Sequence, residues 1–205
     1  MLKKLMMTLA LGSSLFAMHE AELNLNNYDL GAKLNLDMGQ FAPSVDPDSV
    51  FFGAGYLHGS YQNNEHGDDK DHDLFDLHFF VKQRLKGNSG LSLGVGTKLV
   101  YTTIGGYDYY ALPIGVMADY ELPLGLSIPF ILGGDFYFAP EVLSWQDAKN
   151  YMEYDLHLDI RLIDRAAVTG GYRRIDTNFD VSGGDYTFNE SWFVGLLLVS
   201  SMVSV

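Results

Sequence analysis

The stretch MEYDLHLDIRLI, residues 152–163, alternates without a break. Met152, Tyr154, Leu156, Leu158, Ile160 and Leu162 fall on one side of an extended chain, and Glu153, Asp155, His157, Asp159 and Arg161 on the other. Period two is the signature of a β-strand, where successive side chains point to opposite faces. The length constrains the fold further. Strands of soluble domains usually run about five or six residues, whereas a tilted strand that crosses a bilayer needs about 9–11.

The same long alternation recurs along the chain. Leu30, Ala32, Leu34, Leu36 and Met38 oppose Gly31, Lys33, Asn35 and Asp37. Phe75, Leu77, Phe79, Val81 and Leu85 oppose Asp76, His78, Lys82 and Arg84. Leu91, Leu93, Val95, Leu99 and Tyr101 oppose Ser92, Gly94, Gly96 and Lys98. Tyr110, Leu112, Ile114, Val116, Ala118 and Tyr120 oppose Gly115, Asp119 and Glu121, and Leu126, Ile128, Phe130, Leu132, Phe136 and Phe138 oppose Asp135 and Tyr137. Residues 49–61 and 192–199 are apolar on both sides, so the pattern leaves their inward faces open. Counting from Tyr28 gives nine strands, and an antiparallel barrel with both ends in the periplasm needs an even number. A further strand over residues 18–26, where Ala21, Leu23 and Leu25 alternate with Glu20, Glu22 and Asn24, makes ten. The expected fold is therefore all-β: a transmembrane antiparallel up-and-down β-barrel of eight to ten strands, ten preferred.

The connections alternate in length. KGNSG, LPLG and IDRA are tight, while QNNEHGDDKDHD, TIGGYD, APEVLSWQDAKN and DVSGGDYTFN are longer; QFAPSVDPDS is the exception on the short side. Short turns at one end and longer loops at the other are expected of bacterial outer-membrane barrels. The stretch 65–73 concentrates carboxylates and two histidines without the spacing of a calcium loop, and reads as a solvated loop.

The amino terminus, MLKKLMMTLALGSSLFA, has a short basic region, an apolar core too short to span a bilayer and a small residue at its end. That is the pattern of a secretory signal peptide over 1–17, with the barrel domain over 18–205. Loss of Lys3 and Lys4 with it takes the formal charge from −13 to −15. The chain has no cysteine, which excludes disulfides and thiolate metal sites. Its acidity excludes nucleic acid as a partner, because phosphates are repelled. The expected home is the Gram-negative outer membrane. The expected partners are outer-membrane lipid and the periplasmic chaperone and barrel-assembly machinery, with no cofactor.

Lipid offers no hydrogen bonds, so the apolar side faces outward and the polar side lines the interior. The interior set carries both signs: Lys33, Lys82, Arg84, Lys98, Arg161 and Arg173 against Asp37, Asp76, Asp119, Glu121, Asp135, Glu153, Asp155 and Asp159, with His78 and His157 among them. In so small a barrel side chains fill most of the interior. A salt-bridged plug is expected, with a narrow polar conduit as the sharper alternative. A soluble periplasmic barrel holding an apolar ligand would reverse the faces, with Leu156 and Leu158 inside. No nucleophile–base spacing points to catalysis, and an outer-membrane enzyme is the remaining alternative.

APEVLSW (139–145), NYMEYDLHL and GGYRRI (170–175) together resemble the YfaZ family of outer-membrane proteins. In that family a strand ends in an aromatic–small–Pro turn, matched here by Phe138, Ala139 and Pro140. A Tyr-x-Glu strand follows, matched by Tyr151 and Glu153, and then a Gly-Tyr-Arg strand, matched by Gly171, Tyr172 and Arg173. The likeness extends more loosely from about Leu30 to Leu198. It implies an outer-membrane barrel and brings no catalytic residues. The ending SSMVSV departs from the aromatic end usual in such barrels, which leaves the end of the last strand open.

Overall fold

A computed structural model describes residues 19–26, 28–61, 70–87, 90–104, 107–179 and 185–199. The expected signal peptide and residues 65–69 of the acidic stretch lie outside them. The strand segments are β1 (His19–Leu25), β2 (Asp29–Asp37), β3 (Val50–Tyr61), β4 (Lys70–Arg84), β5 (Leu91–Ile104) and β6 (Tyr107–Ala111). Then follow β7 (Ile114–Glu121), β8 (Phe130–Ala139), β9 (Ser144–Gln146), β10 (Ala148–Ile163), β11 (Ala166–Phe179) and β12 (Asp185–Val199). Two wall strands are broken in the middle. β5 pairs with β7 through residues 91–97 and with β6 through 100–104, so β6 and β7 are one strand interrupted at Leu112 and Pro113. Pro113 has no N–H to give the ladder, which accounts for the break. β8 and β9 are likewise one strand, interrupted by Pro140 and the 3-10 turn Glu141–Leu143. Ten antiparallel wall strands result, and β1 pairs with β12 to close the ring.

The end where β1 begins and β12 finishes is called the lower end here, and the opposite end the upper. The contrast of loop lengths read from the sequence does not survive. At the upper end β5 runs to Ile104 and β6 starts at Tyr107, so TIGGYD is mostly strand. β4 starts at Lys70, which puts the second half of the acidic stretch in the wall. Thr and Tyr extend strands readily, and the alternation of charged with apolar residues stops short of them. At the lower end residues 122–129 and 38–49 are long connections, and Asp37 caps the 3-10 turn Met38–Gln40 by accepting from Gly39 N at 2.9 Å. The β1–β2 hairpin turns at Asn26, whose Oδ1 accepts from the N–H of Tyr28 and Asp29 at 2.7 and 2.6 Å.

The faces follow the alternation. Leu156 is 59% exposed on the outside, and Asp159 is 8% exposed on the inside. A soluble barrel with Leu156 in its cavity is therefore ruled out by the geometry. Every wall strand but β11 carries exposed large apolar side chains on its outer face, among them Leu23, Leu30, Phe52, Leu77, Val95, Val116, Leu132, Phe136, Leu156 and Val194, and β11 presents the half-buried Val168 and Tyr172 there. Toward the upper end this face turns aromatic. Tyr56, Phe75, Tyr101, Tyr110 and Trp145 are successive cross-strand partners on β3, β4, β5, β6 and β9. Tyr154, Tyr172 and Trp192 continue the aromatic surface on β10, β11 and β12, with ring centroids 6.1 and 5.2 Å apart.

Candidate functional site in the barrel interior

The interior has two layers. The upper layer is apolar: Leu57, Leu74, Val100, Ala111, Ile175 and Phe188 pack with Tyr109 and Tyr151 into one buried cluster. His72 belongs to it, with its ring 5.5 Å from Tyr186 and 6.2 Å from Phe188. Tyr109 donates its hydroxyl to the Asn150 carbonyl, so the cluster hides no unpaired phenol there. The sequence pattern did not reveal this layer, although Leu74, Val100 and Ile175 each break a polar inward series near its upper end. Asp29 anchors the neighbouring hairpin by accepting from Asn26 at 2.7 Å and from Asn189 of β12 at 2.6 Å.

Below it lies the polar layer. Lys98 of β5 places its ammonium 2.8 Å from both carboxylate oxygens of Glu153 on β10. Both side chains are nearly inaccessible. Tyr151 donates to the same carboxylate at 2.7 Å, and the Lys98 ammonium lies 4.1 Å from the centre of the Tyr137 ring. A second chain runs along the inner wall from β4 to β1. Asp76 meets His78 Nδ1 at 2.6 Å, His78 Nε2 meets Asn35 Oδ1 at 2.6 Å, and Asn35 donates to Glu20 at 3.0 Å. Each ring nitrogen of His78 thus has an oxygen within hydrogen-bond distance. The third cluster surrounds His157. Its Nδ1 lies 3.0 Å from Asp155, and its Nε2 faces Asp119 at 3.8 Å and Asp159 at 3.9 Å. Asp119 also pairs with Lys82 of β4. These contacts tie strands that are not neighbours in the wall: β5 to β10, β2 to β4, and β4 and β10 to β7.

Glycine makes the interior fit. Gly53 is the cross-strand partner of His78, Gly55 of Asp76 and Gly133 of His157. A Cβ at Gly53 would sit 2.2 Å from His78 Nε2, at Gly55 2.0 Å from the Asp76 carboxylate and at Gly133 2.2 Å from His157 Nε2. Each large polar side chain thus lies down over a bare stretch of the next strand, which is how a narrow barrel holds so many of them.

The other residues singled out from the sequence fall into three groups. Lys33 faces inward and pairs with Glu22 at 3.8 Å, and Arg173 lies buried beside it along the same small cavity. Asp135 points inward as the cross-strand partner of Asp155 and has no hydrogen-bond or ion-pair partner among the described residues. Four residues stay outside the network. Asp37 is spent on the turn, also accepting from Asp48 N at 3.0 Å. Arg84 reaches Glu121 at 3.1 Å on the exposed lower rim, and Arg161 is exposed at the same end. Both sit at strand ends, where alternation continues past the closed part of the lumen. The network also uses Glu20, Glu22, Asn35 and Tyr151, which the sequence reading left out of the candidate set. Among the described residues no group of three or more His, Asp or Glu is arranged to hold a metal ion.

A comparison with protein families finds one match, described as YfaZ precursor, over residues 53–199. No curated protein matches the chain. The matched span runs from β3 to the end of β12 and takes in eight of the ten wall strands, including the aromatic–Ala–Pro, Tyr-x-Glu and Gly-Tyr-Arg segments. The chain belongs to the YfaZ family.

Proposed function

We propose that this protein is an outer-membrane β-barrel whose interior is closed to solutes, so that its role is structural rather than that of a diffusion pore. The observation that carries the reading is the outer face: apolar all round a closed barrel, with an aromatic band at its upper edge. Exposed apolar side chains on nine of the ten wall strands have no place in water, and lipid accepts them because a closed barrel leaves no backbone edge unpaired. From Tyr154 to Leu162 the strand rises about 20 Å along the barrel axis at a tilt of about 40°, close to the height of a lipid-facing apolar band. Above the band polar groups return: Tyr56 donates to Asp73 at 2.7 Å and Tyr172 to Glu190 at 2.9 Å, as amphipathic rings do at a membrane interface. The family description as a precursor supports export through a cleaved leader at 1–17. An even strand count supports the lower end, where β1 begins and β12 finishes, on the periplasmic side.

Closure rests on two seals in series, the apolar cluster above and the ion-paired network below. Fractionation and conductance test the proposal together. The protein is expected in the outer-membrane fraction, to shift on detergent gels when heated, and to show no conductance steps in a planar bilayer. Recovery in the soluble periplasm without detergent would overturn the membrane reading. Stable steps of porin size would overturn the closed interior.

A further inference from the structure

Between the two seals lies a cavity of about 30 Å³, room for a water-sized guest. Its walls include Gly31, whose missing side chain leaves space facing the Arg173 guanidinium, and three cations, Lys33, Lys98 and Arg173. Three carboxylates line it too, but each is already engaged: Glu153 with Lys98 and Tyr151, Asp76 with His78, and Asp155 with His157. Two of the cations have no hydrogen-bonded acceptor among the described residues. Arg173 is only 9% exposed, its guanidinium lies 5.4 Å from the centre of the Phe193 ring, and its Nε–H has no acceptor. Among the described residues no carboxylate pairs with it. Lys33 meets Glu22 at 3.8 Å, beyond hydrogen-bond reach.

A buried guanidinium without a counter-ion is costly, and an uncharged water recovers little of that cost. We propose that this cavity is a binding site for a small monovalent anion of halide size, held by Arg173 and Lys33. The guanidinium supplies directed N–H donors and Lys33 a mobile ammonium. Gly31 lets the ion approach the β2 backbone beside the guanidinium. The bound charge would neutralise Arg173 and join β2 to β11 across the lumen, so occupancy should stabilise the fold by ordinary linkage.

The test uses the mature barrel in detergent micelles with chloride as the probe, against gluconate at equal ionic strength. The expected result is a higher melting temperature in chloride and a saturable excess width of the chloride NMR line that bromide competes away. Arg173→Gln should weaken the saturable component at least about tenfold, the scale of one charge-assisted hydrogen bond. Lys33→Gln should weaken it less. Equal melting in the two salts with unsaturable broadening, unchanged in either variant, would mean that water fills the cavity and would overturn the proposal. If Arg173→Gln does not fold, the salt comparison on the parent and the titration of Lys33→Gln still decide it.

Discussion

Lys98 and Glu153 offer the sharpest test of the polar layer, because they join two strands that are not neighbours in the wall and lie 55 positions apart in the sequence. The pair has two contacts of 2.8 Å, almost no solvent and one further donor, Tyr151. Lys98→Met keeps most of the stem and removes the charge, leaving Glu153 with Tyr151 as its remaining hydrogen-bond partner among the described residues. Breaking a buried pair from one side costs about 3–5 kcal/mol, because the abandoned charge stays desolvated. Loss of the ammonium over the Tyr137 ring adds to this, by about 0.5–2 kcal/mol. Glu153→Gln in the parent strands the ammonium in the same way and should cost about 2–4 kcal/mol. The double variant buries no unpaired charge, and its Gln can still accept from Tyr151, so it should lose about 0–2 kcal/mol. The cycle therefore predicts a coupling of at least about 2 kcal/mol. Urea unfolding from lipid vesicles measures it, with Trp145 and Trp192 on the outer face as the fluorescent reporters of transfer to water. A Lys98→Met cost below about 1 kcal/mol, or additive single effects, would show that water reaches the pair and that the lower seal is open.

Other perturbations test other parts. Gly53→Ala would place its methyl against His78 Nε2 and the Leu34 carbonyl, where only the first can give way, so a loss of about 1–3 kcal/mol is expected in the same unfolding assay. Asp155→Asn should cost about 1.5–3 kcal/mol, since Asp155 holds His157 at 3.0 Å, whereas Asp159→Asn, 3.9 Å away, should stay within about ±0.5 kcal/mol. Asp48 lies in the lower connection with a φ of 57°, and burial followed by the nearby Asp37 carboxylate raises its pKa. A raised carboxyl favours folding when protonated and opposes it once ionised. Asp48→Asn, which also suits the left-handed backbone, should therefore stabilise by up to about 0.5 kcal/mol at neutral pH. Most of that gain should vanish as the pH falls through the ordinary Asp range, which a pH series of unfolding midpoints would check.

Period two in the sequence was enough to place β10 and its partners, because a one-residue slip would have turned Asp155 and Asp159 to the outer face and Leu156 into the lumen. The tenth strand was legible for the same reason: Glu20, Glu22 and Asn24 alternate with apolar residues even in a segment of seven. Pairings were not legible. Nothing in the spacing of Lys98 and Glu153 says that they meet, since that contact depends on how far each strand is staggered round the ring. The apolar cap escaped notice for a different reason. Alternation identifies an inward face by its polarity, and where Leu57 on β3 or Val100 on β5 is inward and apolar the two faces look alike. Residues 49–61, unassignable from the pattern, are that case, and the structure settles them through glycine: Gly53, Gly55 and Gly59 turn inward under larger neighbours.

The order of the two seals gives a last test. Phe188 sits at 1% exposure in the apolar cap, so Phe188→Ala should leave a void and cost about 3–5 kcal/mol. Heat-modifiability on detergent gels would show whether the barrel still folds. Conductance should nevertheless stay absent, because the Lys98–Glu153 bridge and the Asp76–His78–Asn35 chain lie below the void and leave room for a water-sized guest alone. Replacing Lys98 and Glu153 with alanine as well removes the strut that spans the lumen at that depth. The triple variant should then pass small ions in a planar bilayer while excluding larger solutes. The contrast depends on the seals acting in series. Conductance steps from Phe188→Ala alone would place the whole barrier in the apolar cap. A silent triple variant that still folds would place it lower, at the Lys82–Asp119 and His157 contacts.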